Sequence, residues 1–337
     1  MSTTFVSAAD FVDLDRYPID RDCEERRALL TSAQALIQAD GCAVLKGFIR
    51  STKINELVAE CDRVEKFGHR NFTRTNPYFL SDREDLPNSH PLRRFYDRSN
   101  AFVPADNLGT DSILRAIFDW PSFSPFIKEV LQEDKFYPYA DPLADVVVNL
   151  AEEGGGFPWH FDTNNFTVTL AIQNAESGGE FEYSPMVRSL TEENYEKVER
   201  VLDGEKTMIK TVILEPGDLQ IFKGRYSLHR VAPLRGKRKR YVAIFSYVSE
   251  PGMVSSPQRA KELYGSRDLE LKFFGYVSHL IASGAQTRAI DIYREKQVPV
   301  CLISAFGLNS MRLDPIFQNQ SAAVTDRLSK DPVNLIV

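Results

Sequence analysis

The stretch GGGFPWHFDTNNFTVTLAIQN, residues 154–174, decides how this chain of 337 residues is read. A glycine triplet and a proline open it, and Asn164 and Asn165 mark a turn within it. The residues after that turn, NFTVTLAIQN (165–174), are β-branched and apolar in the manner of a strand. Two residues apart on an extended chain, side chains share a face with Cα atoms roughly 6–7 Å apart. His160 and Asp162 are so spaced, and an imidazole and a carboxylate placed this way can converge on one ion.

Strand-like segments continue on both sides. They are ADVVVNLAEE (144–153), GEFEYSP (179–185), TMIKTVILE (207–215), DLQIFKG (218–224) and RYVAIFSYV (240–248), separated by Gly, Pro and Asn clusters. Six short strands with these spacings predict an antiparallel sandwich or barrel, interrupted by one helix at EENYEKVERVL (192–202). Residues 22–66 read as helical: Leu29, Leu30, Ala33, Leu36 and Ile37 recur at helical spacing, as do Ile54, Leu57, Val58 and Cys61. Between these runs, GCAVLKGF (41–48) suits a strand. Residues 67–110 are polar, aromatic and rich in turn residues, which predicts a long covering loop or lid. Residues 112–133 return to helix, and after Pro251-Gly252-Met253 the chain turns helical again through about residue 295. The expected class is α+β. One domain spans 1–253, with a helical layer over 22–133 and a β core over about 136–250, and a C-terminal helical extension over 254–337 packs on it.

A formal net charge of −6 and a pI near 5.6 argue against nucleic acid or an anionic membrane surface as partner. No apolar run approaches the roughly 18 residues of a membrane helix. The opening MSTTFVSAADFVDLDRYPID has neither the basic start nor the apolar run of a secretion signal. Cys23, Cys42, Cys61 and Cys301 lie far apart, with no C-x-x-C pair, which fits a reducing cytoplasm and buried small side chains.

A metal held by His160 and Asp162 needs a third ligand. His229 lies 69 residues on, in KGRYSLHRV (223–231), after a Pro216-Gly217-Asp218 turn and a predicted strand. Two histidines and one carboxylate on one face of an ion leave its other positions open, the arrangement suited to non-haem iron(II) and oxygen. His69, His90 and His279 stand outside this pattern and read as polar surface or satisfied core residues. Arginine can hold both oxygens of a carboxylate with its planar guanidinium, and a cluster of arginines follows His229. Arg235, Arg238 and Arg240 in RGKRKRYVAIFSY are the candidates, with Arg238 and Arg240 sharing strand parity. Asn149, an amide within the apolar run VVVNL, needs partners that a polar cavity would supply.

The order of parts resembles the iron(II)/2-oxoglutarate-dependent dioxygenase superfamily: His-x-Asp, a distal His, then a basic residue some ten positions later. The resemblance implies a double-stranded β-helix (jelly-roll) core flanked by helices. It also implies iron(II) as cofactor, with 2-oxoglutarate and O2 as co-substrates. It places the co-substrate arginine at Arg240, eleven residues past His229, with Arg238 as the alternative and Asn149 nearby. WHFDTNNFTVTLAIQNAESGGEFEYSP (159–185) and GDLQIFKGRYSLHRVAP (217–233) further resemble the bacterial branch that contains free-amino-acid hydroxylases and carrier-independent amino-acid halogenases. In that light the loop 76–100 is part of a substrate cover. A small substrate with a carboxylate and an amine would meet residues such as Arg74, Asn164 and Asn165, with Arg93 and Arg98 as further members.

The implied reaction is C–H hydroxylation of a free amino acid or similar metabolite, giving succinate and CO2. Halogenases of this fold carry a small residue where this chain has Asp162, so hydroxylation is expected over halogenation, and desaturation is a further outcome open to the same site. Two rivals stand beside this reading. A non-catalytic β-sandwich binding protein would hold no iron. A zinc hydrolase would need a general base such as Glu180 or Glu182 beside the metal. The long C-terminal extension could shape the pocket, form a homodimer or pack on the core.

Overall fold

The computed structural model describes residues 6–265. Contacts divide the chain into two compact units, Met1–Gly284 and Ala285–Val337, and the described residues all belong to the first. The helices are α1 (Ala8–Phe11), α2 (Glu24–Asp40), α3 (Ile54–Val64), α4 (Ile113–Asp119), α5 (Phe123–Leu131), α6 (Tyr195–Leu202) and α7 (Pro257–Tyr264). The strands are β1 (Cys42–Leu45), β2 (His69–Thr75), β3 (Tyr96–Val103), β4 (Tyr137–Pro138), β5 (Val146–Ala151) and β6 (Phe157–His160). Then come β7 (Phe166–Gln173), β8 (Phe181–Ser184), β9 (Lys210–Val212), β10 (Leu219–Phe222), β11 (Leu228–Val231) and β12 (Arg240–Val248).

Two antiparallel sheets result. The larger runs β1-β10-β7-β12-β5-β3-β2, with β4 pairing β12, and the smaller runs β6-β11-β8-β9. This is the α+β, two-sheet architecture expected of a jelly-roll core. The period-2 geometry of strands then sorts side chains by parity. On β12, Tyr241, Ala243, Phe245 and Tyr247 turn to one side, where they pack with Val146, Val148 and Leu150 of β5 and with α2 to α5 in the main core. Their neighbours Arg240, Val242, Ile244 and Ser246 turn to the other side and line a cavity. One face of the large sheet therefore stabilises the fold by apolar burial, and the opposite face is free to carry chemistry.

The helical layer is tied on by buried polar groups as well as by apolar contact. Helix α2 buries Leu30, Ala33 and Ile37 and stops at Gly41, whose left-handed φ of 67° lets its N–H cap the carbonyl of Ile37. Buried Glu60 on α3 accepts from the Ser112 hydroxyl and from Ile113 N–H at 2.9 Å, and so fastens α3 to the start of α4. Arg115 on α4 forms a bidentate pair with Asp145 at 2.6 and 2.9 Å, and both groups are buried.

The segment 67–110 departs from the expected loop. Residues 69–75 and 96–103 are the strands β2 and β3, paired to one another, and β3 extends the large sheet beyond β5. Only the stretch between them is irregular. The strands escape a hydrophobic pattern search because β2 is an edge with largely half-exposed residues, while β3 buries Arg98 and Asn100 alongside Ala101 and Phe102. The run 207–215 is also shorter than expected. Only Lys210–Val212 pairs, to β8 at the edge of the small sheet, and Ile213 is exposed. The start of the extension, α7, belongs to the first unit: Ala260 and Tyr264 pack with Phe102, Leu143, Ala144 and Val147. The remainder of the expected extension, with His279 and Cys301, lies outside the described residues.

Candidate metal centre and its cavity

His160 ends β6 and His229 sits within β11, and the two are direct partners across that antiparallel pairing. Their ring centroids are 4.1 Å apart. The Nδ1 of His160 donates to the carbonyl of Pro158 at 2.8 Å, and that of His229 donates to the carbonyl of Ser227 at 2.9 Å. Because a carbonyl can only accept, each ring keeps its proton on Nδ1 and presents a bare Nε2 to the centre. Asp162 lies two residues beyond the end of β6, where its backbone N–H donates to Gly224 O at 3.1 Å. That turn brings its Oδ1 to 3.6 Å from His160 Nε2 and 3.4 Å from His229 Nε2. The three ligand atoms lie within 4.8 Å of one another.

The second carboxylate oxygen of Asp162 is occupied otherwise: the Thr167 hydroxyl donates to Oδ2. Gly224 closes the same side. A Cβ on it would stand 1.8 Å from Asp162 Oδ2, so only glycine leaves room for the carboxylate. Burial and the neighbouring His229 push the His160 pKa down to about 4. Burial alone would raise that of Asp162, but the two imidazoles hold it well below the usual carboxylate range. At neutral pH the set is a neutral imidazole and a carboxylate, the forms that bind a metal.

The cavity above this centre lies between the two sheets and is lined from the large sheet by Asn149, Thr167, Thr169, Gln220, Arg240 and Ser246 among others. Arg240 is buried and makes no hydrogen bond or ion pair with any described residue, and burial pulls its pKa down to about 10. Arg238, the alternative, is exposed and spends its guanidinium on the carbonyls of Asn174 and Ala175, at 2.8 and 3.0 Å. Asn149 faces the cavity and donates weakly to Ala101 O at 3.4 Å.

Of the expected substrate residues, Asn164 lines the cavity and Asn165 does not. Arg74 points away, its side chain 72% exposed and 3.9 Å from Asp97, into a separate surface cleft bounded by Phe72 and Trp159. Arg93 is engaged with Asp82 and the Leu86 carbonyl. Arg98 does face the cavity, and the structure adds Phe79, Arg259 and Tyr264, which sequence reasoning missed. Phe79 adopts a left-handed φ of 56°, and Arg259 comes from α7; neither carries a pattern that a sequence search would flag. Glu180 and Glu182 do not line the cavity, and Glu182 is paired with Arg230. Among the described residues lining it, Asp162 is the one carboxylate.

The donor set fits a divalent iron: two Nε2 atoms and one oxygen on one side, fixed before any ion arrives, with open space opposite. The family model "Halogenase D" matches residues 96–262, which contain His160, Asp162, His229 and Arg240. Over that stretch, just under half of its length, this chain is similar to the Halogenase D family. The triad of His160, Asp162 and His229 could bind an iron ion.

Solved structures similar to this chain include a 2OG-Fe(II) oxygenase family protein from Burkholderia pseudomallei, at 12% identity and TM-score 0.43, with 66% of this chain and 91% of that chain covered. The epimerase SnoN in complex with Fe3+, alpha ketoglutarate and nogalamycin RO is similar at 16% identity and TM-score 0.46, with 68% and 93% covered. HygX from Streptomyces hygroscopicus, with nickel, 2-oxoglutarate and hygromycin B bound, matches at 11% identity and TM-score 0.44, with 65% and 87% covered. No curated protein matches. No helix among the described residues is long and apolar enough to cross a membrane.

Proposed function

We propose that this chain is an iron(II)/2-oxoglutarate-dependent oxygenase that hydroxylates an unactivated C–H bond of a small acid of the amino-acid type, in a reducing cytoplasm. His160, Asp162 and His229 would hold the iron, and Arg240 the distal carboxylate of 2-oxoglutarate. The observation that carries the reading is that the two bare Nε2 atoms and Asp162 Oδ1 converge on a cavity that also contains a buried arginine with no ion-pair partner among the described residues. A cation buried without a partner is costly, and a dicarboxylate end supplies the missing charge. Iron(II) with bound 2-oxoglutarate supplies oxygen activation coupled to decarboxylation of the co-substrate to succinate. The chain's own contribution is positional. Pro158 and Ser227 carbonyls hold the ligand rings in the binding tautomer. Thr167 leaves Asp162 one oxygen for the metal. Phe79, Phe157 and Phe222 give the cavity apolar walls.

The match to the Halogenase D model favours a second reading, radical halogenation. Asp162 opposes it, because its carboxylate fills the position a chloride would take. Turnover in chloride buffer with a panel of amino acids, followed by succinate release and product mass, tests both. A product gaining one oxygen supports hydroxylation, whereas replacement of a hydrogen by chlorine would overturn it. Absence of any 2-oxoglutarate binding by the iron-loaded protein would sink both readings together.

A further inference from the structure

Beyond the metal and the co-substrate cation, the cavity holds two more arginines from separate elements. Arg98 comes from β3 and is 7% exposed, with its guanidinium carbon 4.0 Å over the Phe157 ring. It has no hydrogen bond and no ion pair with any described residue. Arg259 comes from α7, and its guanidinium pairs only loosely with Glu262, at 3.7 Å one turn along the same helix. Both guanidinium groups stand over one ring, 5.5 and 5.4 Å from the centroid of Phe79, and Phe79 in turn lies 5.7 Å from His160. They are therefore gathered on the metal's side of the cavity. Burial and the nearby charge of Arg259 pull the Arg98 pKa down to about 9, so each cation is unfavourable for the other until an anion joins them.

The charges in the cavity do not balance. Arg98, Arg240 and Arg259 face Asp162 as the one lining carboxylate among the described residues, and Asp162 is committed to the metal. One carboxylate of 2-oxoglutarate answers Arg240. Arg98 is left with no carboxylate partner among the described residues and Arg259 with Glu262, 3.7 Å away and outside the lining, and an ammonium entering here would meet neutral acceptors such as Asn164. We propose that the substrate is a dianion whose acidic groups are held between Arg98 and Arg259. This rests on the oxygenase reading and narrows its substrate class to doubly acidic compounds, with two carboxylates or one phosphate monoester. A cationic amino acid such as lysine lacks the second acid and brings a charge of the wrong sign.

The test is calorimetry on the full chain loaded with nickel(II) and saturating 2-oxoglutarate, titrated separately with L-aspartate, L-glutamate, O-phospho-L-serine, inorganic phosphate, L-leucine and L-lysine. Saturating co-substrate keeps the dianions away from Arg240. At least one dianion should bind about tenfold or more tightly than leucine or lysine, and R259Q should lower that affinity about tenfold or more. R98Q should act in the same direction, and R259K should retain most of the affinity. Preference for aspartate or glutamate assigns a dicarboxylate, and preference for phosphoserine or phosphate assigns a phosphate monoester. Lysine binding as tightly as every dianion, or dianion affinities unmoved by R259Q, would overturn the inference. The 2-oxoglutarate titration that precedes these measurements separates the two ideas. If it binds and no dianion is preferred, the oxygenase reading stands and the substrate inference falls; if it does not bind, both fall.

Discussion

Gly224 and Asp162 are fitted to each other. The glycine's carbonyl takes the Asp162 N–H at 3.1 Å, and the space where its Cβ would be is filled by the Asp162 carboxylate. A residue 62 positions from the His-x-Asp motif thereby decides whether the motif's carboxylate can occupy its place.

G224A should displace that carboxylate while leaving the sheets intact. We expect affinity for iron(II) to fall by at least about tenfold, with little change in circular dichroism. Anaerobic metal titration of the variant checks this, and iron binding equal to wild type would show that the carboxylate has another route to the metal.

Thr167 gives a subtler version of the same test. In T167V the hydroxyl that engages Asp162 Oδ2 is gone, and the carboxylate can rotate or bind through both oxygens. Metal affinity should drop by about 10–100-fold. T167S keeps the donor and should restore most of it, an outcome that a simple packing defect would not give.

Replacing Arg240 separates binding from stability. R240L should raise the KM for 2-oxoglutarate by at least about tenfold, well beyond any effect of R238L. Without co-substrate the variant should be as stable as wild type or more so, since a buried cation with no partner among the described residues has been removed. Thermal unfolding with and without 2-oxoglutarate reads both effects: the ligand should raise the wild-type Tm and leave that of R240L unmoved. A larger KM effect in R238L would mean that the exposed arginine reaches the co-substrate.

The Arg115–Asp145 pair anchors the helical layer to the start of β5. R115A removes the cation beside the buried Asp145 carboxylate, which keeps the Val146 N–H at 2.7 Å, and should cost about 3–5 kcal/mol in chemical denaturation. A loss below about 1 kcal/mol, on the order of an exposed pair, would show that Asp145 finds other partners.

Much of the site was legible because its parts sit on strands whose parity can be read from the chain. His160, His229 and Arg240 each lie at or beside an apolar run, and alternation fixes which side they face. The sheet's large apolar face was equally plain in VVVNL and VAIFSYV. The polar strands β2 and β3 were not, because β2 has no buried face and β3 buries polar residues that only a cavity justifies. Arg98 and Arg259 could not be ranked for a related reason. An arginine on a surface and one aimed into a cavity look the same in sequence, and the difference lies in Phe79 and Phe157, which meet them only after folding. Arg74 illustrates the converse: an inviting position in the chain, on a strand edge that turns it to solvent.

The alternation along β12 also sets what kinds of sequence change this protein can survive. Arg240 and Tyr241 are adjacent, yet one faces the cavity and the other the apolar core. Deleting a single residue ahead of them, in the turn at 235–239, could be absorbed by the loop. Deleting one within the strand would swap the faces, driving guanidinium into the helix interface and aromatic rings toward the iron. Substitution and indel tolerance should therefore diverge sharply here. Point changes would tune the chemistry, whereas frame-preserving deletions of one codon would abolish folding itself, so that the strand's reading parity is under stronger constraint than any single side chain it carries.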